Sequence, residues 1–374
     1  MHRMPVVSAG RHGDNRLTFL DGLRGWGALF VLLGHVFVQN FPISSSSAEW
    51  LNRIFIFNGP IAVYVFFAVS GYALSVSFAR TRSRAVLARI ITGRYFRLAV
   101  PVVIGCVLLY ICVRAGLILT PARSSAASDP TAVALFAFVG AFFTVPFPTT
   151  APIPQLWTMP IELLGSVVVV ALLWFFGFKT WRGWVYGLAA LASAAYMPVL
   201  VPFIVGVVLA ETQQKWPAPG RWAGRLAAFG LILGFVLVAA IPTGQSPMAM
   251  ACIGSLLTVS ASFWPAAKSF LSCSVSRFLG GISFPLYITH GIVIHSFGVW
   301  ANRGADSPMG IVVANLATVA LAIVVGWVFR WSDAAGVHAS HLAARWLLPS
   351  AFQRRPSVEN EQAFEPSMTD ARIR

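Results

Sequence analysis

Long apolar runs alternate with short polar connectors along almost the whole of this chain. We identify eleven such runs: Gly25–Phe41, Pro60–Ala79, Leu98–Leu119, Thr131–Phe147, Pro160–Gly177, Gly183–Met197, Val199–Ala210, Leu226–Ile241, Pro247–Trp264, Ile282–Trp300 and Met309–Trp331. In a bilayer each backbone polar group must be satisfied within the segment, so about 20 consecutive apolar residues predict a membrane-crossing helix. The pattern therefore predicts an all-α fold, a polytopic transmembrane helical bundle.

Basic residues in the connectors indicate how many runs cross. The connector Arg80–Arg97 holds six arginines, and several later connectors are basic as well. Lys and Arg concentrate in cytoplasmic loops, so these connectors share one side only if an even number of crossings separates Arg97 from Lys179. Three runs lie between those two residues. We therefore expect Thr131–Phe147 to be a re-entrant or surface-lying segment, which leaves about ten spans with both termini cytoplasmic.

A second arrangement gives the same number of crossings. It merges Gly183–Ala210 into one proline-kinked span and leaves Lys179 and Arg182 outside. We assign residues 1–16 to a basic cytoplasmic N-terminal tail and residues 17–331 to the transmembrane domain. Residues 332–374 form a cytoplasmic C-terminal segment, disordered at its polar, mixed-charge end. No small-residue cleavage site follows the first run, so we expect it to be retained as a span.

Composition and charge agree with this class and argue against others. Hydrophobic residues make up 57% of the chain and charged residues only 10%, whereas soluble domains carry about 25% charged residues. Cytoplasmic connectors explain the net charge of +15, and no basic helix or aromatic-basic motif predicts nucleic-acid binding. The four cysteines have neither metal-ligand spacing nor a disulfide pattern, so we expect no bound metal.

The first run has an arginine, Arg24, at its entrance and a histidine, His35, within it, in "LDGLRGWGALFVLLGHV". In a helix Arg24 and His35 would share one face and lie roughly 16 Å apart along the axis. A guanidinium matches phosphate, and an imidazole can serve as a base near neutral pH. The pair therefore suits a long anionic donor whose reactive end lies far from its phosphates. The alternative makes Arg24 a snorkelling anchor and His35 a satisfied core residue.

Three further motifs place polar residues on or beside apolar spans. "GRYFRLAVP" puts Arg94 and Arg97 on one helical face at the entrance of the third span. "PQLWTMPIELLGS" brings Glu162 into a run with almost no other charge, where a carboxylate needs a cationic or imidazole partner. "GGISFPLYITHG" sets Tyr287 and His290 three positions apart. The structural alternatives are positive charge on the cytoplasmic side, an ion pair with an arginine, and a core hydrogen bond.

A fifth motif, "FFAVSGYALS", places Ser70 and Gly71 inside the second span, where small residues permit close helix packing. Together the five motifs stand in the order and spacing of membrane acyltransferase family 3. The chain resembles that family over Leu17–Trp331, essentially its whole membrane region. Each motif alone is weak evidence for the family, but all five in the same order are specific to it.

The resemblance implies roles for individual residues. It assigns catalysis to His35 and Glu162, and donor binding to Arg24, Arg94 and Arg97. The supporting residues are Asp21, Ser70, Trp157, Tyr287 and His290. Three positions depart from the family pattern, because Thr158 stands where serine is common, Pro160 where many members lack proline, and Leu163 where a second acidic residue is often found. These departures affect which subgroup of the family the chain resembles more than they affect the activity that the resemblance implies.

The function implied by the resemblance is O-acyl transfer. The donor would be acyl-CoA, with acetyl the default group by family frequency, used as a co-substrate without a bound cofactor. The acceptor would be a carbohydrate hydroxyl of a surface polysaccharide, a glycolipid or a glycosylated natural product such as a macrolide. We expect a multi-pass cell-membrane protein, most simply in a bacterial inner membrane, and the sequence carries no signal for an oligomeric state.

The main alternative is a transporter or flippase for a lipid-linked or anionic solute. Such a protein would use the same buried Arg, His and Glu residues for binding or proton relay. The sequence shows no internal repeat and none of the inverted symmetry found in many transporters. Together with the five ordered motifs, this favours the enzyme.

Overall fold

The computed structural model describes residues 15–145, 151–216, 220–241 and 246–353, and every regular element in these ranges is helical. The helices are α1 (Asn15–Leu33), α2 (Ser45–Asn52), α3 (Gly59–Thr81), α4 (Arg84–Arg114), α5 (Pro121–Ala126), α6 (Pro130–Leu135), α7 (Ala141–Phe143), α8 (Thr158–Phe176), α9 (Arg182–Tyr196), α10 (Val201–Lys215), α11 (Arg221–Ala240), α12 (Pro247–Phe263), α13 (Pro265–Leu271), α14 (Ser274–Val293), α15 (Val299–Arg303), α16 (Pro308–Val328), α17 (Trp331–Leu347) and α18 (Ser350–Gln353). Short 3-10 segments lie at Phe55–Phe57, Pro154–Trp157 and Pro198–Leu200, and π-type segments at Gly34–Asn40, Phe136–Gly140 and Ile294–Gly298. Most of the predicted N-terminal tail and the predicted disordered end of the C-terminal segment lie outside the described residues.

Capping residues followed by proline begin several of these helices. The side chains of Asn58, Asp129, Ser246 and Ser307 accept backbone N–H groups from the first turns of α3, α6, α12 and α16. Each of these helices has proline at its first or second position. Proline suits that position because its missing N–H would have no partner in the helix anyway.

Six helical stretches are long and apolar enough to cross a bilayer. They are Gly59–Thr81, Arg84–Arg114, Pro154–Phe176, Arg221–Ala240, Ser274–Arg303 and Pro308–Leu347. Helices α12 and α13 would form a seventh if counted as one span bent by 94°. The all-α membrane bundle is confirmed, whereas about ten spans stays a prediction, because α9 and α10 have only 15 residues each and α1 carries three charged residues.

Helices α1 and α14 run side by side in the same direction. Gly25 faces Gly280, and ten residues later in both helices His35 faces His290. A Cβ built on Gly280 would lie 2.5 Å from the carbonyl oxygen of Asp21, so glycine is what allows the two backbones to approach this closely. The contact fixes the register of the two helices.

Helix α4 runs in the same direction as α14, since Gly105 packs on Ile288 and Leu109 lies near Ile292. We call the end of the bundle at which α1, α4 and α14 begin the basic end, because it carries the arginines of the Arg80–Arg97 segment. The sequence predicted that segment to be a connector, but from Arg84 onward it belongs to α4.

The C-terminal segment contributes to the packed bundle. Helix α17 lies antiparallel on α4, with Gly336 against the carbonyl of Arg97 and Ser340 against Gly93. Hydropathy alone marks residues beyond Trp331 as polar, yet α17 extends to Leu347 and covers the polar first half of α4. That cover explains how α4 extends so far into a basic stretch.

Helix α3 lies at the centre of the bundle and is buried along most of its length. It ends at Thr81, and the next residue, Arg82, has a left-handed backbone with φ 48°. The Arg82 guanidinium donates to the Glu211 carboxylate at 3.1 Å. Arg182 reaches the same carboxylate at 2.7 Å and the Tyr186 hydroxyl reaches it at 3.3 Å. This cluster, the Glu211 cluster, ties α3, α9 and α10 together at the basic end.

The apolar segment Pro130–Phe143 packs along the side of α4. The Tyr95 hydroxyl donates to the Phe138 carbonyl at 2.7 Å, well toward the basic end. By Ala151 the chain has returned to the opposite end, where the Arg123 guanidinium donates to the Ala151 carbonyl at 3.1 Å. Arg123 and Ala151, which flank the segment in the sequence, therefore lie close together at that end of the bundle.

Candidate functional site

A cavity of about 120 Å³ lies between α3, α4, α8 and α14 and opens toward the basic end. Nine polar or charged side chains line it: Arg24, Ser70, Arg94, Arg97, Thr158, Glu162, Ser283, Tyr287 and Asp333. The rest of its wall is apolar and includes Phe66, Phe67 and Phe284. Cationic groups in a largely apolar cavity suit a ligand with an anionic head and an apolar arm.

A buried ion pair forms one wall of this cavity. Arg94 Nη2 lies 2.5 Å from Glu162 Oε2, and the two side chains are 12% and 10% exposed. The Ser70 hydroxyl donates to the same carboxylate oxygen at 2.8 Å, and Arg94 Nε donates to the Ser166 hydroxyl at 2.8 Å. Hydrogen bonds on both partners offset part of the cost of removing the two charges from water. Arg94 therefore already has a carboxylate partner, and Glu162 has the cation that its sequence context required.

The mouth of the cavity carries a different set of charges. Arg24 lies 3.8 Å from Asp21, and its side chain is 28% exposed. Arg97 and Asp333 line the cavity nearby, from α4 and α17. Arg24 and Arg97 form no hydrogen bond or ion pair shorter than 3.8 Å with a carboxylate in the described residues, so they are better placed than Arg94 to receive a phosphate.

Tyr287 and Thr158 close the inner end of the cavity. The Tyr287 hydroxyl donates to the carbonyl of Gln155, and it accepts a hydrogen bond from the Thr158 hydroxyl at 2.9 Å. The ring of Phe66, which also lines the cavity, lies 6.3 Å from the ring of Tyr287. Both polar groups at this end are therefore committed to each other and to the backbone.

Two histidines meet just beyond Tyr287. The rings of His35 and His290 lie 5.1 Å apart, and the ring of His290 lies 5.9 Å from that of Tyr287. His290 is 1% exposed, and its Nδ1 is 3.1 Å from the Leu286 carbonyl. Because a carbonyl can only accept, Nδ1 carries the proton and Nε2 presents a lone pair. Nε2 has no hydrogen-bond partner in the described part of the chain.

The structure brings most of the predicted site residues together, but in two groups. Arg24, Ser70, Arg94, Arg97, Glu162 and Tyr287 line the cavity, whereas His35 and His290 lie behind Tyr287. Asp21 does not line the cavity, and its nearest cationic partner at the site is Arg24. Trp157 is 39% exposed at the start of α8 and does not line the cavity. The described structure thus separates the cationic cavity from the imidazole pair by the rings of Phe66 and Tyr287.

Five polar residues of this site were not assigned to it from the sequence. Gln155 and Thr158 hold Tyr287, Ser166 holds Arg94, Ser283 lines the cavity, and Asp333 lines the mouth. Ser166 stands four residues after Glu162, and this helical spacing is the one sequence signal that could have indicated it. The others depend on contacts between distant parts of the chain.

Comparisons with known proteins bear on the whole membrane region. A protein-family model described as an acyltransferase domain matches residues 17–330 of the chain. Comparison with curated proteins and comparison with solved structures gave no match. The matched residues include the five sequence motifs, every residue that lines the cavity except Asp333, and both His35 and His290.

Proposed function

This chain belongs to membrane acyltransferase family 3, and from that premise we propose that it transfers an acyl group from acyl-CoA to a carbohydrate hydroxyl. It is a membrane acyltransferase by family; the CoA thioester, the acetyl group and the carbohydrate acceptor are our proposal. The observation that carries the proposal is the arrangement of a cationic cavity and, behind it, a buried imidazole with a free lone pair.

The donor would lie with its phosphates at Arg24 and Arg97. Guanidinium groups bind phosphate oxygens through charge-assisted hydrogen bonds, and these two arginines stand at the mouth of the cavity. The apolar walls suit the acyl chain and its arm. The thioester would reach the histidines once the rings of Phe66 and Tyr287 move apart, because those rings close the inner end.

One of the two imidazoles would act as general base. It would take the proton from the acceptor hydroxyl, whose oxygen then attacks the thioester carbonyl. The carbon–sulfur bond breaks, and CoA leaves as a thiolate that takes up a proton. His35 is the base implied by the family resemblance. His290 holds its Nδ1 proton on Leu286 and would support His35 or share its role.

Glu162 would act through Arg94 rather than on the substrate itself. Its carboxylate oxygen is bound by Arg94 and Ser70. The pair holds α3, α4 and α8 around the cavity, and it places a fixed dipole beside the donor arm. The proposal therefore assigns Glu162 and Arg94 chiefly to positioning.

We propose ten crossings with the basic end in the cytoplasm. Helices α1, α3, α4, α8, α9, α10, α11, α12, α14 and α16 would alternate in direction. Pro130–Phe143 would belong to a re-entrant segment, since it reaches Tyr95 while the flanking residues Arg123 and Ala151 meet at the opposite end. The shared carboxylate of Glu211 puts Arg182 at the same end as Arg82. This contact favours the arrangement in which Lys179 and Arg182 are cytoplasmic.

The test uses membranes that contain wild type, His35→Ala or His341→Ala at equal protein levels. His341 is an exposed imidazole on α17 and serves as the matched control. Each sample receives acyl-CoA labelled in its acyl group, as acetyl, succinyl and longer chains, with an extract of envelope glycans and glycolipids. We expect label in a base-labile ester, and release of CoA, with wild type and His341→Ala only.

The transporter alternative gives the opposite result in the same assay. A transporter or flippase would neither consume the thioester nor release CoA. If wild type releases no CoA from any of the donors, the transferase proposal is refuted and the buried charges belong to a transport path.

A further inference from the structure

Acyl transfer as described above leaves Asp333 without a role. This residue lies in the first turn of α17, three residues beyond the part of the chain that the family model matches. It lines the same cavity as Arg24 and Arg97, at the mouth where the donor phosphates would bind. A carboxylate at that place opposes an anionic ligand, so its presence needs an explanation.

The packing of α17 holds Asp333 at this place. Gly336 lies one helical turn after Asp333 and therefore on the same face. A Cβ on Gly336 would lie 2.5 Å from the Arg97 carbonyl oxygen and 3.1 Å from Pro101, so α17 is pressed against α4 at the level of Arg97. One turn further, Ser340 packs on Gly93. The aspartate thus faces the mouth from a helix that cannot easily turn away.

The other carboxylates near the cavity have close cationic partners. Glu162 is bound to Arg94 at 2.5 Å, and Asp21 lies 3.8 Å from Arg24. Asp333 forms no ion pair within 4.0 Å among the described residues, although it acts electrostatically on both Arg97 and Asp21. The charge of Asp333 therefore acts on several charged groups at the mouth of the cavity rather than on one ion-pair partner.

We propose that Asp333 is a specificity-determining residue that limits how tightly the mouth of the cavity holds the phosphates of the donor. The inference rests on the proposed function, in which a CoA thioester binds there. A phosphate that approaches Arg97 gains the attraction of the guanidinium and meets the repulsion of the carboxylate. The repulsion grows with the number of phosphate charges, and it promotes release of CoA after transfer.

The experiment measures binding of CoA, 3′-dephospho-CoA and pantetheine to purified protein in lipid nanodiscs at low ionic strength. The variants are Asp333→Asn, Asp333→Glu and the remote control Asp306→Asn, whose carboxylate is exposed at the other end of the bundle. We expect Asp333→Asn to lower the Kd for CoA about three- to tenfold. The change should be smaller for dephospho-CoA, absent for pantetheine and reduced by added salt.

The outcomes distinguish failure of the role given to Asp333 from failure of the proposed function. Asp333→Glu keeps the negative charge. If this variant binds CoA with wild-type affinity, the tighter binding by Asp333→Asn is due to loss of the charge rather than to altered packing. If wild type binds CoA and Asp333→Asn binds it equally or more weakly, the role of Asp333 is refuted while the donor assignment stands. If wild type binds no CoA, the donor assignment is refuted and the role of Asp333 with it. If Asp333→Asn binds CoA more tightly than wild type but wild type transfers no acyl group, only the proposed reaction is refuted.

Discussion

His35 and His290 lie against each other inside the bundle, and a backbone hydrogen bond fixes the tautomer of His290. The Leu286 carbonyl holds the Nδ1 proton of His290, which leaves its Nε2 as an acceptor. His35 is the second residue of a π-type segment, Gly34–Asn40, and such local widening of a helix is frequent at functional sites. The two rings therefore offer one oriented lone pair and one imidazole at a place where the helix is not regular.

We expect His35→Ala to lower turnover by about 10²- to 10⁴-fold, the usual contribution of a general base. His290→Ala should lower turnover less, because a supporting imidazole orients the base rather than taking the proton. Single-turnover rates of ester formation from labelled acyl-CoA measure both changes, with His341→Ala as the reference for an exposed histidine. Turnover within twofold of wild type in His35→Ala would remove that residue from the mechanism.

Glu162→Gln is expected to destabilise the protein by about 3–5 kcal/mol, because it leaves Arg94 buried without its counter-charge. The double variant Arg94→Gln/Glu162→Gln should cost less than the sum of the two single changes, as contacting residues are coupled. Unfolding of the four proteins in one detergent measures the coupling, and Glu49→Gln, an exposed carboxylate, serves as the control. Additive losses would show that the ion pair contributes nothing as a pair.

The sequence predicts that Glu162 needs a partner but not which partner. A lone carboxylate in an apolar run requires a cation or an imidazole, and that much follows from the residue and its neighbours. Arg94 lies 68 positions away, and its side chain could equally have faced a ligand. Only the packing of α4 on α8 shows that Arg94 faces Glu162. That Arg94 also binds the donor stays a prediction.

At the scale of elements, two neighbouring glycines of α14 have opposite surroundings. A Cβ on Gly280 would strike the backbone of Asp21 in α1, whereas a Cβ on Gly281 would meet no atom within 4 Å. The backbone contact at Gly280 keeps α1 and α14 in register. Alanine at Gly280 would disturb the contact between the helices, whereas alanine at Gly281 would change only the helix propensity of the position.

Gly280→Ala should destabilise the protein and reduce transfer, because α1 must move away from α14 and carry His35 away from His290. Gly281→Ala should be neutral or stabilising by about 0.5–1 kcal/mol, since alanine is the better helix former. Thermal unfolding midpoints and transfer rates of the two variants provide the comparison. Equal behaviour of the two would contradict a close contact between α1 and α14.

Hydropathy identifies the cores of most helices and misplaces some of their ends. The run Pro247–Trp264 corresponds closely to α12. The run Leu98–Leu119 misses the first 14 residues of α4, because those residues are basic and are covered by α17 rather than by lipid. Local apolarity cannot reveal a helix whose polar face is buried by a distant part of the chain.

At the scale of the whole molecule, the orientation of the bundle can be read from thiol accessibility. Cys273 is exposed at the basic end, and its hydrogen bond with Ser276 lowers the pKa of the thiol. A lower thiol pKa gives more reactive thiolate near neutral pH. With the other three cysteines replaced by alanine, Cys273 becomes a natural reporter for that end.

We expect a membrane-impermeant maleimide to label Cys273 only after the cells are permeabilised. Ser128→Cys and Asp306→Cys, made without Cys273, should be labelled in intact cells, because both positions are exposed at the other end. Labelling of Cys273 from outside would invert the proposed orientation. If only one of Ser128→Cys and Asp306→Cys is labelled in intact cells, the two positions lie on opposite sides of the membrane. The proposed number of crossings between them would then be wrong.

The fold class, the membrane setting and the family follow from the sequence, because apolar runs and ordered motifs are local features. The division of the site into a cationic cavity and a separate imidazole pair does not follow. It arises from how Phe66, Tyr287 and Thr158 fill the space between α3, α8 and α14. Side-chain packing of that kind depends on all the surrounding helices at once.

The Glu211 cluster also sets an order for biogenesis. Glu211 is 8% exposed, and its carboxylate is shared by Arg82, Arg182 and Tyr186. All three partners precede it in the chain, so they have already been synthesised when α10 leaves the ribosome. A carboxylate that enters the bundle is then neutralised at once rather than stranded in lipid. A circular permutant that begins at α10 would reverse that order and should be retained poorly by the membrane, even though every contact of the finished protein is unchanged.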